Sequence, residues 1–472
     1  MLAQNENRLC GTNDISPWFV EYISQPDKYD NSLREEVVYL PLTVHILGTD
    51  EGTGYFRRSQ LYDALCRLNE DFAATNLQFF VKGEIRYHDN TRWYDHEEYR
   101  DGYDMMRSNN VSGTINSYIV QNPAGNCGYF APVGDAVALS KSCMAPNDHT
   151  WAHELGHYFS LPHPFVGWEG IDYDPAVPTS SYRSQNRRNI ENVARDNCNR
   201  AADRFCDTPP DYLSYRWPCD NQGFSTVTQT DLNGETFKSD GTLFMSYASD
   251  RCQSRFSTGQ INAMVANLNA QRPYLINNET YAGDIMENPM FVSPADDGVV
   301  DADNGELIWT TVENATHYHV QASRLPNLGG LLIINEVVTD TSIFLPELVI
   351  GRTYYWRVRA FNAFEFCTNP SQRYSFTAAE LTSTEEIKSD EINIWPNPLS
   401  STSALIFFEG TPELEHTELI WRIVDLDGQL VDQGKTGNNN NLSLTNTLTP
   451  GVYNLILEFE GSRIVRPLVI TR

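Results

Sequence analysis

Residues 153 to 163 read HELGHYFSLPH, and no other stretch constrains the chemistry of the chain so tightly. On a helix, His153 and His157 stand one turn apart on one face. Neutral imidazoles so placed can both reach one Zn²⁺ at about 2.0–2.1 Å. Glu154 then lies beside the metal, where it can take a proton from a zinc-activated water and return it to a leaving amine. A catalytic zinc needs a third protein ligand and an open position. His163 is the candidate, because Pro162 cannot continue the helix and turns the chain off its axis. Ser160 stands where such a turn usually takes glycine. A left-handed serine costs about 1–2 kcal/mol, small against zinc ligation, so the turn is expected to form. Glu169 is a weaker, acidic alternative for the third ligand. Only 10 of 472 residues are histidine, yet three fall at ligand spacing around a glutamate, which favours a metal site over a polar helix face.

The chain is too long for one hydrophobic core, and about two to four domains are expected. An apolar share of 40% and an aromatic share of 12% fit packed globular domains. Acidic residues outnumber basic ones, 62 to 34, for a formal charge of −28, which argues against nucleic acid or an anionic membrane as partner. Such a surface suits calcium and a salty exterior. No run approaches the ~18 apolar residues of a membrane-spanning helix, so no transmembrane segment is expected. Six of the nine cysteines fall between 127 and 252, a density that suggests disulfides and an oxidising compartment. Nine is odd, so one thiol is left over. Cys66 is a rival for it, as a small apolar residue on a helix face, and so is Cys367, as a sandwich core residue, but Cys10 has only polar neighbours. The N-terminus, MLAQNENRLCG, lacks an apolar export core. The cysteines favour a secreted or surface protein whose export signal has been removed.

The first 35 residues are polar and weakly periodic. VVYLPLTVHIL (37–47) reads as a buried strand and SQLYDALCRLNEDFAAT (59–75) as an amphipathic helix opened by Ser59. LQFFVKGEIRY (77–87), INSYIV (115–120) and AVALS (136–140) read as strands, and 149–161 as the motif helix. Strands with intervening helices indicate an α/β half-domain. A loop-rich stretch from 164 to 240 leads to a helix at STGQINAMVANLNAQ (257–271). Beyond about 280 the texture is strands only, divided by the polar break AAELTSTEEIKSDE (378–391).

Four stretches together make the chain resemble a pappalysin-family metzincin metalloprotease over 36–275. HELGHYFSLPHPF (153–165) resembles the extended zinc motif, and FMSYASDRCQSRFSTGQINAM (244–264) the Met-turn and the helix after it. NCNRAADRFCDTPPDY (197–212) resembles the loop between them, and RLCGT (8–12) the pro-segment motif. The resemblance implies a pro-segment at 1–35 and an α+β metzincin-like catalytic domain at 36–280. That domain would have a mixed twisted sheet, an active-site helix and an irregular C-terminal subdomain with the Met-turn. Met245 would floor the zinc site, and Tyr247 would aim its hydroxyl at the oxyanion. Cys219 and Cys252 would form a disulfide, with Cys198–Cys206 and Cys127–Cys143 as candidate pairs. Calcium is implied in the mid-loop, at Asp207 and Thr208. Asp250, opposed by Arg251, would lie near the pocket for the residue after the cut, so a basic preference there is expected to be weak or lost. Cys10 would cap the zinc and keep the proenzyme latent until the chain is cut at Arg34 or Lys28.

Residues 285–378 resemble a fibronectin type III domain, with Trp309, Tyr355 and Val358 on its strands. Residues 390–472 resemble the C-terminal sorting domain of type IX secretion cargo, through INIWPNP (392–398), IVDLDGQLV (423–431) and LTPGVYNLILEFEGSRIVRPLVI (448–470). Two all-β sandwiches after the catalytic domain, and the secretion machinery as partner, are what these likenesses imply. The leading functional expectation is a secreted zinc endopeptidase acting on protein or peptide substrates. Its competitor is a cell-surface adhesin or binding protein with a non-catalytic metal site. Glu154 favours the enzyme, because a decayed site has no use for the one residue needed only for turnover.

Overall fold

The computed structural model describes residues 12, 15–32, 35–181, 188–276, 279–380 and 393–471, the last stretch interrupted at 401–404, 410–419, 426–428, 437–440, 445–446 and 460–461. The chain forms two compact units. One comprises Met1–Met290, Val312–Thr341 and Tyr355–Arg373, and the other Phe291–Thr311, Ser342–Tyr354 and Tyr374–Arg472.

In the first unit, α1 (Pro17–Ser24) stands within the stretch expected to be polar and weakly periodic. It forms because Ser16 accepts a hydrogen bond from Phe19 N at 3.1 Å and Pro17 fits the first helical turn. Phe19 and Tyr22 then bury in the core, Phe19 against Phe205 at 5.3 Å between ring centres. Next come β1 (Val38–Gly48) and α2 (Arg58–Phe72), whose last turn tightens into a 3-10 segment at Ala73–Thr75 and stops at left-handed Asn76. The run 77–87, expected as one strand, breaks at Gly83 (φ 72) into β2 (Leu77–Val81) and β3 (Arg86–Asp89). Both pair in parallel with β1, β2 along its first half and β3 along its second.

Two further helices, α3 (Thr91–Tyr94) and α4 (Tyr99–Asn109), flank the short β4 (Asp95–His96). Their signal in the sequence is faint: α3 is a single turn, and α4 buries only Gly102, Met105 and Met106. Then follow β5 (Ile115–Val120), β6 (Asn122–Pro123), β7 (Gly128–Ala131) and β8 (Ala136–Ser140). The main sheet runs β2–β1–β5–β8–β7 with β3 also on β1. All its ladders are parallel except β7–β8, so β7 is an antiparallel edge strand. Every residue of β5 and β8 is buried, as parallel strands covered on both faces require. The motif helix α5 (Thr150–Tyr158) lies against β7 and β8. The later helix α6 (Thr258–Gln271) starts at a capping box of Ser257 and Gln260.

Part of the fibronectin-like stretch belongs to this first unit and is bound to α2 and β2. Phe361 lies 4.3 Å from Tyr62, Arg359 pairs with Asp63 at 2.8 Å, and Val81 N donates to Ala363 O at 2.9 Å. Cys66 and Cys367 are joined as a disulfide there. That removes both as candidates for the leftover thiol: Cys66 sits half-buried on α2, facing the segment that carries its partner. Four disulfides use eight of the nine cysteines. The ninth, Cys10, lies outside the described residues.

The second unit is all β. Phe291–Ser293, Glu306–Trp309 and Ser342–Phe344 form one antiparallel sheet, while Gly298–Asp301 pairs in parallel with Tyr374–Ala379. The tail forms a three-stranded and a five-stranded sheet around Leu399, Trp421, Ile423, Leu455, Leu457 and Leu468.

Candidate metal centre

The helix α5 delivers His153, Glu154 and His157 into the interior, at 6%, 0% and 4% exposure. It ends as the motif requires, although with serine. Leu161 N donates to Gly156 O at 2.9 Å and Ser160 N to His157 O at 2.8 Å, the paired bonds of a Schellman ending. Ser160 takes the left-handed position with φ 72. Its hydroxyl also accepts from Asn267 Nδ2 on α6 at 3.0 Å, which helps to offset the strain. The chain therefore turns back and brings His163 to the helix.

The Nε2 atoms of His153, His157 and His163 form a triangle with sides of 3.0, 3.1 and 3.2 Å. His153 Nδ1–H donates to Phe244 O and His157 Nδ1–H to Leu161 O, both at 2.7 Å. Those bonds fix the tautomers, so both Nε2 lone pairs point into the triangle. Burial pushes His153 down to about 4 and the other two well below the ordinary imidazole value. Neutral rings cannot bridge this gap by hydrogen bonds among lone pairs, and a cation is what satisfies them. Tetrahedral nitrogens at 2.0–2.1 Å from one metal would stand about 3.3 Å apart, close to the observed sides. Three neutral imidazoles are also a zinc-type donor set.

Met245 is fully buried, and its sulfur lies where a side chain at Gly156 would otherwise collide with it. It thus packs under the helix between the two ligand positions. Tyr247 stands over the site, its ring 4.9 Å from that of His163 and 4.4 Å from that of Phe165. The turn that carries both is held by Cys219–Cys252 and by Asp211, which accepts from Ser246 Oγ at 3.0 Å and Ser239 Oγ at 2.6 Å. Cys127–Cys143 and Cys198–Cys206 are also joined. Glu169 turns back onto Gly167 N at 2.8 Å and is not among the three clustered ligands.

Other expected positions have different surroundings. Arg251 does not oppose Asp250: its guanidinium donates to Cys219 O at 2.9 Å. Arg216 pairs with Asp250 instead, and Asp250 also accepts from His149 N at 3.1 Å, at the start of α5. Asp207 accepts from Ser257 Oγ at 3.0 Å and Gly259 N at 2.7 Å, holding the start of α6. Thr208 donates to Asp203, whose carboxylate is fully buried. Glu191 is buried close by, with Oε1 lacking a hydrogen-bond partner. Burial raises Glu191 to about 9, helped by the charge of Asp203, and burial raises Asp203 to about 8. Sequence reasoning missed this pair, because nothing in the spacing of Glu191 and Asp203 announces that the loop folds them together.

Residues 393–471 match the family model described as the secretion system C-terminal sorting domain. The chain is a secreted or cell-surface protein. No helix of the described residues is long and apolar enough to cross a membrane. An extracellular metalloprotease of Verticillium alfalfae is 28% identical to it, over 35% of this chain and 68% of that protein. Among solved structures, a mutant promirolysin of Tannerella forsythia is similar, with a TM-score of 0.40 and 16% identity over 57% of this chain and 97% of its own. The fn3 domain of the human collagen alpha-1(XX) chain gives a TM-score of 0.17 and 22% identity over 23% of this chain and 98% of its own. The resemblance of the tail agrees with the family model, and the resemblance of the motifs with the Verticillium relative.

Proposed function

We propose that the chain is a secreted zinc endopeptidase made as a latent proenzyme. The observation that supports this most strongly is the triangle of buried Nε2 atoms with Glu154 beside it on the same helix. Zinc, when bound, supplies Lewis acidity at this point. The chain's own groups supply the rest. His153, His157 and His163 hold the ion, with His153 and His157 oriented by their carbonyl partners. Glu154 accepts a proton from the attacking water and passes it to the nitrogen that leaves as the C–N bond breaks and a C–O bond forms. Tyr247 offers its O–H to the carbonyl oxygen as charge gathers there. Phe165 and Met245 keep the surroundings apolar and dry.

Latency has support from Thr12, two residues after Cys10. Thr12 Oγ1 accepts from Phe130 N at 2.8 Å and donates to Phe130 O at 3.2 Å, so Thr12 itself lies beside β7, the edge strand next to Glu154. Cys10 is the thiol that would reach the zinc, until cleavage before the first strand releases the segment. Calcium is the ion we assign to the acidic loop, with Glu191 and Asp203 as its carboxylates and Thr208 beside them. An orphaned carboxylate oxygen at 1% residue exposure fits a hard divalent cation. Asp250, engaged by Arg216, leaves little acid for a basic side chain after the cut, in keeping with a weak preference there.

The test is digestion of a denatured protein mixture by the activated protein and by its Glu154→Ala variant, with new termini read by mass spectrometry. New termini that vanish in the variant support the proposal. Identical termini from both, or none from either, would leave the adhesin reading.

A further inference from the structure

We infer that Gly128 is a positioning residue for Glu154: the missing side chain at the head of β7 is the space in which the glutamate sits. The inference rests on the reading of Glu154 as the proton carrier. A Cβ on Gly128 would fall 2.8 Å from Glu154 Cγ, 2.9 Å from its Oε1 and 3.1 Å from Ala138 O. Carbon atoms do not approach so closely, so a side chain at 128 must displace something. Gly128 does not have the positive φ that would itself call for glycine, so space is what the position demands.

The surroundings show which partner yields. β7 is pinned at this point, since Gly128 pairs with Leu139 on β8 and Cys127 is bonded to Cys143. Cys127 O also accepts from Ser140 N at 2.7 Å. The helix backbone is pinned as well. His153 and His157, on either side of Glu154, are tied to Phe244 O and Leu161 O, and Met245 fills the space at Gly156. What remains is the Glu154 side chain, which can rotate about its own torsions. A methyl group at 128 therefore moves the carboxylate while leaving the three imidazoles in place. A misplacement of about 1 Å in a reacting group costs on the order of 100-fold in rate.

The experiment is a double-mutant cycle of Gly128→Ala with Glu154→Ala, reading the melting temperature and zinc content of each protein, together with kcat and KM of the activated wild type and Gly128→Ala. A crystal structure of metal-free Gly128→Ala accompanies it. Ala ends at Cβ and lacks both Cγ and Oε1, the atoms that meet the new methyl, whereas Asp would keep a Cγ. The expected result is one zinc per chain in every variant, KM unchanged, and kcat lowered on the order of 100-fold by Gly128→Ala alone. Gly128→Ala should lower the melting temperature when Glu154 is present and leave it nearly unchanged in the Glu154→Ala background, because the two sites are coupled. Equal losses of melting temperature in both backgrounds would assign Gly128 to strand structure and overturn the inference, as would wild-type kcat in Gly128→Ala or loss of zinc with it. If the wild type cleaves nothing, the functional proposal fails separately, and the crystal structure still decides. A displaced carboxylate beside an unmoved β7 supports the positioning role; a displaced β7, or a carboxylate that has not moved, contradicts it.

Discussion

The first unit buries two sets of ionisable groups, the three histidines and the pair Glu191 and Asp203, and burial affects them very differently. The three histidines of the candidate site are kept neutral by burial, and two of them hydrogen-bond to backbone carbonyls. Glu191 and Asp203 are carboxylates, and they must take up protons or a cation to be buried together. A site built from neutral ligands can lose its ion and keep its shape, which suits chemistry. A site built from buried carboxylates ties its ion to the fold. On the proposed reading, the charge of the ligands would separate a working metal from a structural one in the same chain.

The largest expected effect falls on the histidine side. His163→Ala should abolish cleavage and remove most zinc while the protein remains folded, since two ligands hold zinc poorly. Zinc content by plasma mass spectrometry together with a melting curve checks this. Full zinc occupancy in a folded variant would break the assignment. On the carboxylate side, withdrawing calcium with a selective chelator should lower the melting temperature by about 10 °C. A ligand at 1,000 times its Kd contributes about 4 kcal/mol, and each kcal/mol shifts a unit of this size by about 2–4 °C. Glu191→Gln should make the melting temperature nearly insensitive to calcium.

The pH dependence follows from the same carboxylates. In calcium-free protein both have folded pKa values raised above their unfolded ones, to about 9 for Glu191 and about 8 for Asp203. Their contribution to stability is then fully present below about pH 4 and is lost as pH rises through 8 to 9. Calcium-free protein should therefore melt at progressively lower temperature from pH 5 to pH 9, and added calcium should flatten that slope. A flat profile without calcium would mean that the pair is not buried as charge-costly carboxylates. The smallest effect concerns the rim of the metal site. Arg216→Ser frees Asp250 and should raise the preference for Arg or Lys after the scissile bond by about threefold to fivefold, the scale of a partly exposed ion pair. Unchanged cleavage-site statistics would remove Asp250 from the pocket.

The contrast also separates what could be read in the sequence from what could not. The histidine cluster is local: the three histidines and Glu154 lie within eleven residues, and helical periodicity with Pro162 sets their geometry. Even the serine at the turn followed from backbone energetics, since its left-handed φ is affordable and Asn267 supports it. The central strands were legible because parallel strands buried on both faces read as unbroken apolar runs. The acidic pair was not legible, because Glu191 and Asp203 are brought together by a loop with little regular structure. Arg216 was missed as the partner of Asp250 for the same reason, as nearness in sequence pointed to Arg251. Cys66–Cys367 spans 301 residues, and no local pattern encodes such a bond. α1 was hidden in a polar stretch where only its cap and two aromatic residues mark it.

The most direct measurement is metal reconstitution of protein stripped by chelation, following cleavage of a protein substrate and the melting temperature in parallel. Zinc alone should restore cleavage that is absent from Glu154→Ala, and should raise the melting temperature of both proteins equally through its own binding; calcium alone should raise the melting temperature and restore no cleavage. Cleavage that returns with calcium and not with zinc, or that never depended on metal, would contradict the assignment of the three histidines as the catalytic centre.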